Sequence, residues 1–251
     1  MTKTRIVFVH GIDGYGAAAW PAQHRLAGRY DALFLKRTGF DAAAPPVPTD
    51  FAADARIVID ALGDGGHVVA HAQGAIAAVM AAVERPEVVH SLVLVEPALL
   101  SLTAELPATK AYREHLASLY ERRGEMGDIE FTVEFNRLTA ASTAGSPGPG
   151  GGAVAPGVPR SVPLESPARV AARVHLQAPS WDAPLHIVPG VPTLVVTGGW
   201  EPLYEEIADY LAATGARHVI TRGGHRPQDT EAGEALIGEF IGSFDTGAAA
   251  S

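Results

Sequence analysis

The stretch Ala70-His71-Ala72-Gln73-Gly74 follows an apolar run and opens a helix of small residues, in HVVAHAQGAIAAVMAA. A sharp strand-to-helix turn of this kind holds the side chain at its tip clear of the backbone, which is how a nucleophile is offered to a carbonyl. The tip here is Ala72, which carries no reactive atom. Other parts of acyl-transfer chemistry are present elsewhere in the chain. His225, in RGGHRPQDT, is a residue type that takes and returns protons near neutral pH. Glu96 in VEPALL and Glu201 in TGGWEPLY are two carboxylates, either of which could hold the far ring nitrogen of that histidine and fix its tautomer. His10-Gly11, in FVHGIDGYG, opens a loop at the end of the first apolar run.

Those residues need elements to bring them together. Arg5–His10 is a buried strand, because four of its six residues are apolar and a glycine turn follows. Trp20–Tyr30 is expected as a helix and 32–35 as a short strand. In 50–62, Phe51, Ala55, Val58, Ile59 and Leu62 share one helical face, with Thr49 or Asp50 as the cap. Strand 67–71, a helix over 73–84 closed by Arg85-Pro86, and strand 91–95 come next. Strand 192–197, helix 201–213, strand 217–220 and a helix from about Gln228 to Phe244 complete the series. Strands separated by helices imply a mostly parallel sheet with helices on both faces. FVHGIDGYG, AHAQG, VEPALL, TGGWEPLY and RGGHRPQDT each follow a predicted strand, at the sheet edge where such folds bind ligands.

Residues 98–190 break this rhythm. They hold a charged helical part, TKAYREHLASLYERRGEM, and then SPGPGGGAVAPGVPRSVPLESP, which cannot sustain a helix or sheet interior. Because the strand–helix alternation resumes afterwards, the expectation is a lid or cap inserted into a single domain spanning 1–251 rather than a linker. Tyr112, Leu116, Leu119 and Tyr120 share a helical face that covers either the pocket or its own neighbours.

The 251 residues are 47% hydrophobic and 19% charged, which suits one α/β domain with a sizeable core. A net charge of −9 argues against nucleic-acid or anionic-membrane partners, which need basic surface. The absence of cysteine excludes disulfides and thiolate chemistry. No run reaches the roughly 18 apolar residues of a membrane span, and MTKTRIVFVHG enters a strand without a signal-like segment, so a cytoplasmic location is expected. His115, His175 and His186 lack metal-ligand spacing, and HGIDGYG matches no phosphate- or dinucleotide-binding fingerprint. No metal or cofactor is expected.

Taken together, these segments resemble the α/β-hydrolase superfamily over nearly the whole chain. The family's elbow, G-x-S-x-G, here has alanine at the first position and at the nucleophile, with Gly74 retained. The resemblance implies an oxyanion hole from the N–H groups of Ile12 and Gln73, and places His225 as the catalytic histidine. It leaves the acid open. Glu201 holds the family's usual acid position, and VEPALL looks like a subgroup in which Glu96 supplies the carboxylate, the reading favoured here. Gly11, Asp13, Tyr15 and Trp200 are expected around the substrate, Trp20 in the core, and His71 packed beneath the turn. The implied activity is hydrolysis of a small-molecule ester or lactone by a Ser-His-Glu triad.

Ala72 admits two explanations. Retention of His225, two candidate acids and the HG loop favours replacement of a serine, which disables acyl transfer and traps substrate. The other explanation is a natural serine-free protein, either a cyclase, isomerase or lyase with His225 as base or a non-catalytic binder of small molecules.

Overall fold

The computed structural model describes residues 3–143 and 165–245. Most of the Gly/Pro-rich run and the tail TGAAAS lie outside them. Strands β1 (Arg5–Val9), β2 (Asp31–Phe34), β3 (Gly66–His71), β4 (Val89–Val95), β5 (Thr193–Thr197) and β6 (Arg217–Ile220) form one sheet in the order β2-β1-β3-β4-β5-β6. Every pairing is parallel. Parallel neighbours need crossovers, and helices supply them: α1 (Phe51–Leu62) leads from β2 to β3, α2 (Gly74–Glu84) from β3 to β4 and α6 (Pro202–Ala213) from β5 to β6, while α7 (Glu231–Asp245) follows the last strand. Three more helices, α3 (Pro107–Glu121), α4 (Asp128–Thr143) and α5 (Pro167–Leu176), lie between β4 and β5.

The central strands are buried on both faces, so they are near-continuous apolar runs whose alternate residues enter different cores. Val7, Val9, Val68, Ala70, Leu92 and Leu94 join α1, α2 and α6 on one side. Ile6, Phe8, Val69, Val93 and Val95 join Trp20 and the α7 residues Ile237 and Ile241 on the other. Trp20 is therefore a core residue, 1% exposed. A separate small cluster of Leu116, Leu119, Phe131 and Leu138 holds α3 and α4 together away from the sheet.

One expected helix is absent. Residues 20–30 form no α-helix; 3₁₀ turns occupy Gly16–Ala19 and Gln23–Gly28 instead. So short a segment gains little against the nucleation cost of a helix, and Gln23 is held elsewhere, its Nε2 donating to the Gln228 carbonyl at 2.6 Å. At α1 the cap is Asp50, whose side chain accepts from the Ala53 N–H at 2.8 Å.

Register sets up the site. Val9 pairs with Ala70, His71 with Val95, and Val95 with Val196. The loops after β1, β3, β4 and β5 thus leave the sheet at one edge. The order reverses between β1 and β3, so the loops carrying Gly11 and Ala72 meet at the topological switch point.

Candidate active site

Ala72 and Glu96 are the two described non-glycine residues with positive φ, +49° and +46°. Left-handed backbone costs a non-glycine residue roughly 1–2 kcal/mol, so the surrounding bonds must hold it there. The sheet ladder does so. The Ala72 N–H donates to the Val95 carbonyl at 3.0 Å, the Glu96 N–H to Val196 at 2.9 Å, and the Ala98 N–H to the Ala72 carbonyl at 3.1 Å. Gly74 is required by close approach: a Cβ there would lie 2.5 Å from the His10 carbonyl oxygen and 2.6 Å from that of Val9. The elbow therefore rests directly on the end of β1.

His225 comes from the loop after β6. Its Nδ1 is buried and faces Glu96 Oε2 at 3.5 Å, an ion-pair separation slightly longer than a hydrogen bond. Glu96 itself is fully buried. The Gly198 N–H donates to its Oε1 at 2.6 Å and the Trp200 indole N–H to its Oε2 at 3.0 Å. Two fixed donors thus aim this carboxylate at the imidazole. Glu201 lies elsewhere on the cavity wall, at the start of α6, where burial raises its pKa, the Leu203 N–H opposes that rise and the Glu96 charge adds to it. On the other side of the ring, His225 Nε2 faces Asp13 Oδ2 at 3.9 Å.

His71 supports this loop from below. Its ring lies 4.7 Å from that of His225, and its Nε2–H donates to the His225 carbonyl at 2.8 Å. Burial, followed by the neighbouring His225 and Arg226, holds the His71 pKa well below the usual imidazole range, so the ring is neutral. Tyr204, in the first turn of α6, lies 5.3 Å from the His225 ring. Burial pushes its phenol well above the usual range, with Tyr112, Glu96, Asp13 and Glu201 adding to the effect, so it remains a protonated donor.

Ile12 and Gln73 both line the cavity, and among the described residues neither N–H is engaged in a backbone hydrogen bond. Their loops are pinned by Arg37, which sequence reasoning did not single out. The buried guanidinium donates to the carbonyls of His10 (3.0 Å) and Gly11 (3.0 Å), to Gln73 Oε1 (3.1 Å) and to Asp54 Oδ2 (3.2 Å). His10 is locked in the same network. Its Nδ1–H donates to the Gly11 carbonyl at 2.7 Å, and its Nε2 accepts from the Arg37 N–H at 3.1 Å. Burial and Arg37 hold its pKa well below the usual imidazole range.

Two expected substrate contacts need correction. Tyr15 does not line the cavity; it packs beside His10 and Phe40 with the Arg173 guanidinium over its ring at 4.8 Å, because the 3₁₀ turn from Gly16 leads the chain away from the edge. Gly11 is likewise not on the wall. It lies against the elbow, where a Cβ would come 3.1 Å from the Ala72 Cβ, so its smallness serves packing. Asp13 and Trp200 do line the cavity.

That cavity measures about 550 Å³ and reaches from Ala72 and His225 to the inserted helices. Tyr112, Leu116 and Tyr120 of α3, Phe135 of α4 and Val174 of α5 form its far wall. Among the described residues no lysine or arginine lines it. Glu206 of α6 anchors α3 by accepting from the N–H groups of Ala108 and Thr109, each at 2.8 Å. Gln73 Nε2 donates to the Ala178 carbonyl at 2.9 Å, tying the elbow to the end of the inserted segment. Among the described residues no group of three or more His, Asp or Glu side chains is placed to hold a metal ion. None of the described helices is long and apolar enough to cross a membrane.

The sequence over residues 6–239 matches the model of the alpha/beta hydrolase family. The chain belongs to the alpha/beta hydrolase family. Among curated proteins none matches it by sequence. Solved structures of this alpha/beta hydrolase fold are similar at low identity. A thermophilic esterase from Thermogutta terrifontis superposes with a TM-score of 0.61 at 17% identity, covering 97% of this chain and 91% of that one. An epoxide hydrolase from Bacillus megaterium gives 0.61 at 15% identity, covering 98% and 95%. A haloalkane dehalogenase loop variant from Bradyrhizobium elkanii gives 0.60 at 18% identity, covering 98% and 91%. At such identities the likeness speaks for the fold, and these three hydrolases break different bonds.

Proposed function

We propose that this alpha/beta hydrolase acts on a carboxylic ester or lactone through a Ser-His-Glu arrangement in which Ala72 stands in the serine's place. One observation carries the reading: His225 lies at the cavity with Nδ1 against a wholly buried carboxylate, Glu96, that two fixed donors orient. With serine at position 72, its Oγ attacks the carbonyl carbon while His225 Nε2 accepts the proton. Glu96 holds the opposite N–H and stabilises the imidazolium. The N–H groups of Ile12 and Gln73 receive the charge on the carbonyl oxygen. His225 then gives its proton to the leaving alkoxide, and water releases the acid. Within the inserted segment 98–190, helices α3, α4 and α5 serve as the lid, and their apolar wall suits a neutral small-molecule acyl or alcohol part.

Alanine at 72 closes the acyl-enzyme route while leaving the cavity, imidazole and amides in place. The Ala72→Ser protein, assayed on a panel of aryl esters and lactones, is expected to gain about a thousand-fold or more in kcat. An intact fold with no gain on any member of the panel overturns the assignment. The serine-free alternative, with His225 as a general base, draws support from the carboxylate of Asp13 on the Nε2 side of the ring.

A further inference from the structure

We propose that Asp13 is a second catalytic carboxylate, which with His225 holds a hydrolytic water and lets the chain with Ala72 cleave its substrate without an acyl-enzyme. The proposal rests on the ester or lactone reading for its substrate class but does not use a serine. His225 lies between two acids: Glu96 on Nδ1 at 3.5 Å and Asp13 on Nε2 at 3.9 Å. Only the first has a role in the triad. Asp13 follows Ile12 directly, lines the same cavity as Ala72, and is half exposed. Among the described residues the one basic side chain within 4 Å of its carboxylate is His225.

A separation of 3.9 Å is too long for a direct hydrogen bond and suited to a bridging water. A water about 2.8 Å from each atom makes an angle of about 90° between them, near the angle between its own two O–H bonds. One proton then points at Asp13 Oδ2 and the other at His225 Nε2, leaving a lone pair free. The methyl group of Ala72 offers no hydroxyl to compete for Nε2. Asp13 adjoins Ile12 in the loop that supplies one oxyanion donor, so water and carbonyl share one corner of the cavity.

The step balances without any further reagent. The water oxygen bonds to the carbonyl carbon as its proton passes to His225 Nε2, and the carbonyl π electrons move to oxygen, facing the Ile12 and Gln73 amides. Collapse breaks the carbon–oxygen bond to the alcohol part, which leaves with the proton from His225. Asp13 keeps the hydrogen bond from the remaining O–H throughout and changes no bond. The products are an acid and an alcohol, or one hydroxy acid from a lactone.

The test compares kcat/KM for a p-nitrophenyl ester in the chain as it stands, in Asp13→Asn, Asp13→Glu and His225→Gln, and in Ala72→Ser with and without Asp13→Asn. The Ala72 chain is expected to turn over above the uncatalysed rate, with linear product release and no burst. Asp13→Asn should lower kcat/KM by about ten-fold or more, with partial recovery in Asp13→Glu, and His225→Gln should bring it to background. In the Ala72→Ser background the same Asp13→Asn change should cost about three-fold or less, because there the serine hydroxyl meets Nε2 during acylation. Asp13 is half exposed, so its substitutions leave the fold intact, and circular dichroism checks every variant. Turnover of the Ala72 chain that is unaffected by Asp13→Asn overturns the proposal, as does the absence of turnover while Ala72→Ser is active. An active Ala72 chain beside an inactive Ala72→Ser chain overturns the serine triad and leaves this proposal standing.

Discussion

Glu96 and Glu201 are both glutamates and both follow a strand, yet only Glu201 borders the cavity, and their surroundings differ. Glu96 is fully buried at a left-handed backbone position, and its two carboxylate oxygens receive an amide N–H and an indole N–H. Glu201 is half-buried, and burial raises its pKa. These environments fit different tasks: Glu96 orients an imidazole, and Glu201 lines the substrate's space. In an Ala72→Ser protein, Glu96→Gln is therefore expected to lower kcat by about a thousand-fold or more, and Glu201→Gln by about ten-fold or less with a larger share in KM. Steady-state kinetics on one aryl ester separates the two, and equal small losses would remove Glu96 from its assigned place. The sequence favours Glu96 only through the resemblance of VEPALL, since spacing puts both carboxylates at the correct edge. What distinguishes them is a backbone angle and two donors from Gly198 and Trp200, which local pattern does not encode.

At the scale of elements, the strands and most helices were legible because buried parallel strands are apolar runs and the helices carry one apolar face. The segment 20–30 was not, since its turns are set by distant contacts such as Gln23 Nε2 donating to the Gln228 carbonyl at 2.6 Å. Arg37 was equally silent: it follows β2 with no motif around it, and only the fold brings it under the loops of Gly11 and Gln73. Its charge sits wholly buried, where burial pulls its pKa down and Asp54 opposes the effect. Removing one partner of such a pair leaves the other uncompensated, at a cost of about 3–5 kcal/mol. Arg37→Met is thus expected to destabilise the protein by that amount in urea denaturation, and adding Asp54→Leu should recover part of the loss. Activity in the Ala72→Ser background should not recover with it, because the carbonyls of His10 and Gly11 still lack their donor. A double variant as unstable as the single one would show that the charge pair is not what Arg37 chiefly provides.

At the scale of the whole molecule, the site and the stability of the fold are joined through two buried neutral histidines. His10 and His71 lie under the oxyanion loop and the elbow, and burial is the first cause holding both pKa values well below 6.5. The charges near them work in the same direction, Arg37 and Arg173 for His10, and His225 and Arg226 for His71. Above pH 6.5 both rings are neutral whether the chain is folded or unfolded, and they add no pH dependence. Below it the unfolded chain takes up two protons that the native structure refuses. Stability therefore falls as pH falls from about 6.5, by up to about 1.4 kcal/mol per pH unit for each histidine. Urea midpoints are expected to be level between pH 8 and 7 and to drop steadily from pH 6.5 to 5, above the range in which most carboxylates titrate. His71→Gln should roughly halve that slope, since an amide can still donate to the His225 carbonyl but cannot be protonated. A midpoint that stays constant or rises between pH 6.5 and 5 would mean that one or both rings are charged in the native protein. The networks around Gly11 and His225 would then have to be drawn with a proton on the second nitrogen.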